Sequence, residues 1–419
     1  MSRVVDLNAD VLAIRRVRAA AALPKFFVLC CVVFAFFFYA LEENGWKTAL
    51  CLLCSAVLLI LLARYIERGS RWAVWLLTAI VLAMTALGVG AICWGKGSKL
   101  ERAQVAGGAA LMLTPCWILV SLGWKANHNR ATVSVIRAVS RSPWSRVPRE
   151  QRSREAMGTF ATAVIIYVAG LLPAGLAALA VGGHLWVSAL VYWPIAAFAG
   201  RIWNRGRRQS ALGLQEIRKL DTRPPVLLLR SFGDDNLPLE KRYHLFWFLF
   251  TARETLTLES FVVDQIWRLG PVLAIGNPSE PLSPLGAARE YIPDDRWRNR
   301  IQQYLNESEY IVSILGATPG LSWEFQQIQA LGKEDRVLVV FPPRPAEELQ
   351  RCWVLFQSIF GRSKAPDLQW QPFIGVPLLA FCAADGVVLF YCKYHHETAY
   401  AAAFSRLFEM TGSSNALIG

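Results

Sequence analysis

The chain has no Gly-x-x-x-x-Gly-Lys-Ser/Thr segment and no Gly-x-Gly-x-x-Gly after an apolar strand. The P-loop and the dinucleotide fingerprint are both excluded. Histidine is scarce, at five in 419 residues, and His395 and His396 are adjacent. Adjacent residues face different sides of a helix, so they make a poor metal pair, and no metal site is expected. The cysteines form no disulfide framework. Cys30, Cys31, Cys51, Cys54, Cys93 and Cys116 fall within apolar runs, and Cys352, Cys382 and Cys392 lie in the second half. Cys51-x-x-Cys54 has redox spacing but no second pair nearby, and it reads as buried small hydrophobes. Acidic residues are few in the first half. Residues 1–200 hold 8 Asp/Glu against 20 Lys/Arg, a net +12, whereas residues 201–419 hold 23 against 24, a net +1. A basic nucleic-acid-binding domain in the second half is excluded, and no nucleic-acid partner is expected.

What the chain has in abundance is apolar sequence, 54% of all residues. Six stretches, 23–41, 48–63, 72–94, 105–124, 157–181 and 184–203, are apolar enough to suggest membrane spans. The first follows Arg15, Arg16, Arg18 and Lys25 without a small-x-small cleavage site, so it reads as an uncleaved span. Basic segments follow alternate spans: Arg64 to Arg71, eight Lys/Arg over 125–154, and Arg201 to Arg208. The intervening 42–47 segment is net acidic and the Gly182-Gly183 turn uncharged; Lys96, Lys99 and Arg102 are discordant. This pattern predicts a multi-pass inner (plasma) membrane protein with both termini cytoplasmic and the lipid bilayer as partner. Trp46, Trp72, Trp94, Trp124 and Trp203 fall near span ends, where interfacial aromatics belong. The spans lack Asp and Glu, which favours an anchor or sensor over a transporter. The expected organisation is an N-terminal arm over 1–22 and an α-helical six-span membrane bundle over 23–204 with a basic loop at 125–155. A linker over 205–224 and a cytoplasmic α/β domain over 225–419 complete it.

Beyond Pro224-Pro225 the pattern changes. Short apolar runs at 226–230, 271–275, 310–315 and 336–341 alternate with helical patterns at 256–269, 294–308, 322–331 and 346–360. Two further runs flank Ala383-Ala384-Asp385-Gly386 as a hairpin-like pair, and a last helix runs near 396–410. Strands alternating with helices imply a parallel sheet covered on both faces. Five strands with short crossovers favour a flavodoxin-like order, 2-1-3-4-5, whose switch point brings together the loops after the first and third strands. Those loops are Ser-Phe-Gly-Asp-Asp at 231–235 and Gly-Ala-Thr-Pro-Gly-Leu-Ser-Trp-Glu at 316–324.

Asp234, Asp235 and Glu324 are carboxylates there; Ser231, Thr318 and Ser322 supply hydroxyls, and Gly316 and Gly320 let a ligand approach the backbone. Ser322 is placed to cap the following helix, with Glu324 in its first turn, which would keep the carboxylate ionised. A carboxylate beside an aromatic residue can hold ribose hydroxyls or stabilise positive charge at an anomeric carbon. The extra segment 276–293 offers Arg289 for an anion contact. Read structurally instead, Asp234-Asp235 is a turn and Glu324 a helix residue favoured by the dipole.

The segments VLLLRSFGDD and GATPGLSWEFQQIQALGKEDRVLVVF, within 225–343, resemble Toll/interleukin-1-receptor (TIR) domains and nucleoside 2-deoxyribosyltransferases. The resemblance implies a TIR-like, flavodoxin-like fold that cleaves N-glycosidic bonds through a glutamate. Carried onto this chain, it implies Glu324 as the catalytic residue and Ser231, Phe232 and Asp234 in the ligand-facing loop. Asp235, Gly316, Thr318, Trp323 and Arg289 complete the expected ligand set. In TIR domains the glutamate falls three residues after the Trp, whereas here Trp323 and Glu324 are adjacent, nearer the transferase pattern. The resemblance also implies NAD or a related nucleotide as substrate, no cofactor, self-association of the domain, and a role in signalling or defence. A non-catalytic signalling or scaffold module and a transporter with a regulatory domain remain as other readings.

Overall fold

A computed structural model describes residues 3–41, 45–67, 70–94, 116–126, 154–170, 173, 185–210, 213–231, 233, 237–240, 257–276, 286–293, 296–368, 375–384 and 386–411. The chain divides into two compact units, one of residues 8–142 and one of residues 1–7 with 143–419. The first holds α1 (Asn8–Leu41), α2 (Gly45–Glu67), α3 (Arg71–Trp94) and a helical stretch at 116–126. The second opens with β1 (Arg3–Asp6) and then has α4 (Arg154–Ala169), α5 (Leu185–Ser210) and α6 (Leu214–Leu220).

Among the described residues no helix is long and apolar enough to cross a membrane. The six-span bundle and the inner-membrane location are therefore overturned. Length or charge acts against three of the six runs. α4 has 16 residues, about 24 Å at ~1.5 Å per residue, short of the ~30 Å hydrocarbon core. α5 contains Pro194 and gathers Arg201, Arg205, Arg207 and Arg208. α1 contains Arg15, Arg16, Arg18, Pro24 and Lys25, and Lys25 is ion-paired with Glu67 of α2. Of the fourth run, 116–124 are described as helical, and 105–115 lie outside the described residues. The expected basic loop at 125–155 also falls almost wholly outside them. Two tryptophans assigned to an interface are held by protein instead. Trp124 Nε1 donates to Thr78 Oγ1 at 3.0 Å, and Trp203 packs 4.6 Å from Phe160.

The α/β part is built on β2 (Val226–Leu229), α7 (Leu258–Ile266), β3 (Val272–Gly276), β4 (Ala288–Tyr291), α8 (Trp297–Glu307) and β5 (Tyr310–Ile314). It continues through α9 (Pro319–Ala330), β6 (Val337–Val340), α10 (Ala346–Lys364), β7 (Val376–Ala383), β8 (Gly386–Cys392) and α11 (Glu397–Met410). The eight strands form one mixed sheet in the order β1-β8-β7-β6-β5-β2-β3-β4. This corrects the expected five-stranded parallel, flavodoxin-like sheet. The change of direction follows from one connection. Ala383 pairs with Gly386, so β7 and β8 are joined across two residues. Two residues permit a hairpin but not a parallel crossover, so the pair must be antiparallel. β7 then meets β6 antiparallel, and β1 adds to β8 in parallel. The arm expected over 1–22 thus contains a sheet strand and the start of α1.

β2, β3 and β6 are buried at every position, which fits strands covered on both faces. β2 lies between β3 and β5 and is parallel to both. The chain leaves all three strands at the same edge of the sheet, and it passes to opposite sides of β2. Such a reversal opens a crevice at the carboxyl ends of the strands.

Candidate functional site

A cavity of about 270 Å³ occupies that crevice. β2 and its following residues supply Leu229, Arg230, Ser231 and Gly233; β3 ends in it with Ile275 and Gly276. Ile292 follows β4, Trp297 and Ile301 come from α8, and Thr318, Gly320, Leu321 and Glu324 come from the start of α9.

The start of α9 sets the site. Thr318 is the N-cap, with extended backbone, and its Oγ1 accepts from Leu321 N at 3.4 Å. Pro319 takes the first helical position, where its fixed φ and missing N–H cost nothing. Ser322, expected as the cap, lies inside the helix and donates through Oγ to Thr318 O at 3.0 Å. Glu324 is therefore in the second turn, not the first. Its side chain leans toward the helix start, over Gly320 four residues earlier. A Cβ on Gly320 would find nothing nearer than Trp297 at 3.9 Å, so the glycine leaves this wall open.

The Glu324 residue is partly exposed as a whole, but its Oε2 is buried and has no hydrogen-bond partner among the described residues. Burial pushes the carboxyl up to about 8, against a smaller opposing pull from Arg230. The expectation of an ionised Glu324 is thus corrected. The helix field falls off within the first turn, and at the second turn desolvation wins.

Arg230, which ends β2, is a wall residue that sequence reasoning missed. Its Nε donates to Glu259 Oε2 at 2.9 Å and its Nη1 to Ile275 O at 3.3 Å. Glu259, in the first turn of α7, is fully buried, and its Oε2 also accepts from Arg289 Nη2 at 2.7 Å. Arg289 does not line the cavity. It is a buried β4 residue bonded to Glu259. Gly286, with φ of +153°, admits Glu259, whose Oε1 would lie 2.8 Å from any Cβ there.

α8 forms the far wall. Trp297 meets Trp323 edge to face at 5.0 Å, with Arg298 over both rings at 5.7 and 5.5 Å. Trp323 thus backs Trp297 and does not itself line the cavity. α8 and α9 are tied together at their far ends. Gly332, with φ of +62°, ends α9 in a Schellman turn, its N–H bonding to Gln329 O and that of Lys333 to Ile328 O. Lys333 Nζ then donates to Leu305 O, Asn306 O and Ser308 O at the end of α8. The Gly-Lys pair read from sequence has this structural task.

Of the expected residues, Ser231, Thr318 and Glu324 share the cavity. Gly316 is buried between β5 and α9 and does not line it. Phe232, Asp234 and Asp235 lie outside the described residues. Arg230 had a sequence signal, a charge ending an otherwise apolar strand; Glu259, Trp297 and Ile301 had none that separated them from ordinary helix residues. Among the described residues no His/Cys/Asp/Glu cluster could hold a metal ion. Comparison of the chain with protein-family models, curated proteins and solved structures finds no match, so no relative speaks for NAD or for hydrolysis.

Proposed function

We propose that the α/β unit binds a nucleoside or nucleotide in the crevice between β2 and α9, with its ribose against Glu324. The supporting observation is the enclosed Oε2 of Glu324, without a hydrogen-bond partner among the described residues, at a cavity with an arginine and an aromatic wall. An enclosed polar oxygen without a partner costs about 1–3 kcal/mol, which a ligand hydroxyl recovers. The TIR-like and transferase-like resemblance of 225–343 points to the same ligand class. Size narrows it: about 270 Å³ lies just below the ~300–1,000 Å³ span of small-molecule sites. The cavity encloses a nucleoside-sized portion, and a dinucleotide would extend beyond it.

The chemistry available is proton donation. A carboxyl that keeps its proton at pH 7 acts as a general acid toward the nitrogen of a departing base. The electrons of the C–N bond go to the base with that proton, a water adds to the anomeric carbon, and the carboxylate left on Glu324 takes up the water's proton. The test is to incubate the full chain with nucleosides and nucleotides, follow free base by chromatography, and measure binding by calorimetry. Binding that Glu324→Ala abolishes supports the reading. Binding untouched by Glu324→Ala, or none across the panel, sinks it.

A further inference from the structure

The helices of the unit over residues 8–142 leave apolar surface uncovered. α3 buries Ala73, Val74, Leu77 and Val81 on one face. On its other face Trp72, Trp75, Leu76, Ala79, Leu82 and Ala83 recur at helical spacing and are exposed throughout. Trp75 is 63% exposed and Leu82 52%. α2 repeats the pattern through Leu50, Cys54, Val57, Leu58, Leu61 and Tyr65, with Leu58 67% exposed. Residues 48–63 and 72–94 contain no charged residue, and a helix apolar on all sides needs cover on all sides.

The two stripes meet at one corner, and the chemistry changes there. The Tyr65 and Trp72 rings lie 4.9 Å apart across the α2–α3 connection, and Trp124 meets Trp75 edge to face at 4.5 Å. Arg64, Arg71 and Lys125 are exposed, and each is the sequence neighbour of one of these aromatic residues. Glu67, the one acidic residue between Leu50 and Trp94, is ion-paired with Lys25, so the corner keeps a net positive charge. The order along the surface is therefore apolar, then aromatic, then cationic. That gradient matches the acyl chains, the headgroup boundary and the anionic headgroups of a lipid leaflet. A protein–protein interface instead sets a polar rim around an apolar core, whereas here the described charge is gathered at one end.

We propose that the α2–α3 corner is a docking surface for an anionic lipid bilayer. The apolar stripes face acyl chains, the Tyr65, Trp72 and Trp75 rings sit at the headgroup boundary, and Arg64, Arg71 and Lys125 meet lipid phosphates. The contact is with one leaflet, since no described helix is long and apolar enough to cross. Thr78 and Trp124 act behind the surface as positioning residues. Trp124 Nε1 donates to Thr78 Oγ1 at 3.0 Å, which fixes the ring against which Trp75 rests.

Sedimentation of the full chain with vesicles tests this, comparing phosphatidylcholine alone with phosphatidylcholine mixed with phosphatidylglycerol. The chain sediments with the mixed vesicles, and less of it does so as salt rises from ~0.15 M to ~1 M and screening tightens. Arg64→Gln with Lys125→Gln weakens partitioning onto the mixed vesicles roughly thirtyfold, at about fivefold per basic residue, and leaves the melting temperature unchanged. Trp72→Ser with Trp75→Ser weakens it on both kinds of vesicle. Lipid brominated on its acyl chains quenches tryptophan fluorescence in the native chain, and quenches it less in Trp72→Phe with Trp75→Phe. Equal partitioning onto the two kinds of vesicle, or partitioning that neither pair of substitutions changes, overturns the site. No partitioning also overturns it, and self-association that the tryptophan pair then breaks assigns the face to a second copy of the chain.

Discussion

Replacing Glu324 by Gln should stabilise the protein, and by an amount that depends on pH. The carboxyl is raised from 4.5 to about 8 in the folded chain, chiefly by burial. A tenfold change in acidity is worth about 1.4 kcal/mol, so at high pH the folded state carries a penalty of roughly 4–5 kcal/mol from this group. The sign follows from proton counting. Between pH 4.5 and about 8 the folded state holds a proton that the unfolded state has released. Stability from this group is therefore complete below pH 4.5 and is lost as pH rises through about 8. Gln keeps the volume and cannot ionise. The variant should match the native chain near pH 4, exceed it by about 3 kcal/mol at pH 7, and by roughly 4–5 kcal/mol at pH 9. Melting temperature measured for both proteins across pH 4–9 is the assay. Curves that stay parallel across that range would refute the burial argument. A gap that widens toward acid would refute its sign.

Three further outcomes are expected. Glu259→Ala leaves two guanidiniums buried without their shared carboxylate, and should cost about 3–5 kcal/mol in chemical denaturation; a loss under ~1 kcal/mol would mean that water or another anion already serves them. Thr318→Ala removes the cap of α9 and should cost about 1 kcal/mol, seen as a lower melting temperature together with weaker ligand binding. Gly320→Ala should separate stability from binding. Its Cβ meets nothing closer than 3.9 Å, so the protein gains about 0.4–1 kcal/mol, while the added methyl covers the helix start and reduces affinity.

The fold was legible where a strand's character is its own. β2, β3, β5 and β6 are short apolar runs, buried throughout except at Tyr310, and such runs stand out in any reading. β1 and β4 are strands for the sake of a neighbour. Arg3–Asp6 carries a charge at each end and becomes a strand by pairing with Val388–Tyr391, nearly the length of the chain away. Ala288–Tyr291 carries Arg289 and Glu290 and is a strand because it lies against β3. No local pattern encodes such partners. The hairpin at Ala384-Asp385 was visible, but its consequence for sheet direction required knowing that β7 would sit beside β6. The apolar first half misled for a related reason. Hydropathy counts side chains without asking what covers them, and it cannot see where a helix begins and ends. The run at 157–181 looked long enough to span, yet α4 ends at Ala169.

At the site the decisive detail was which hydroxyl caps α9. Thr318 and Ser322 are both capping residues by type, and choosing Ser322 put Glu324 in the first turn. Pro319 was the signal that decides between them, since proline favours the position just after the cap. Starting the helix at Pro319 carries Glu324 about one turn further from the dipole's positive end, where that field no longer offsets desolvation. The shift changes the chemistry as well as the address. An ionised carboxylate attacks or stabilises a cation, whereas a carboxyl that keeps its proton to about 8 donates it. Arg230, in the wall of the same cavity, is held by Glu259 and the Ile275 carbonyl. No spacing rule links Arg230 to Glu259 or Glu324; the sheet order and the start of one helix do.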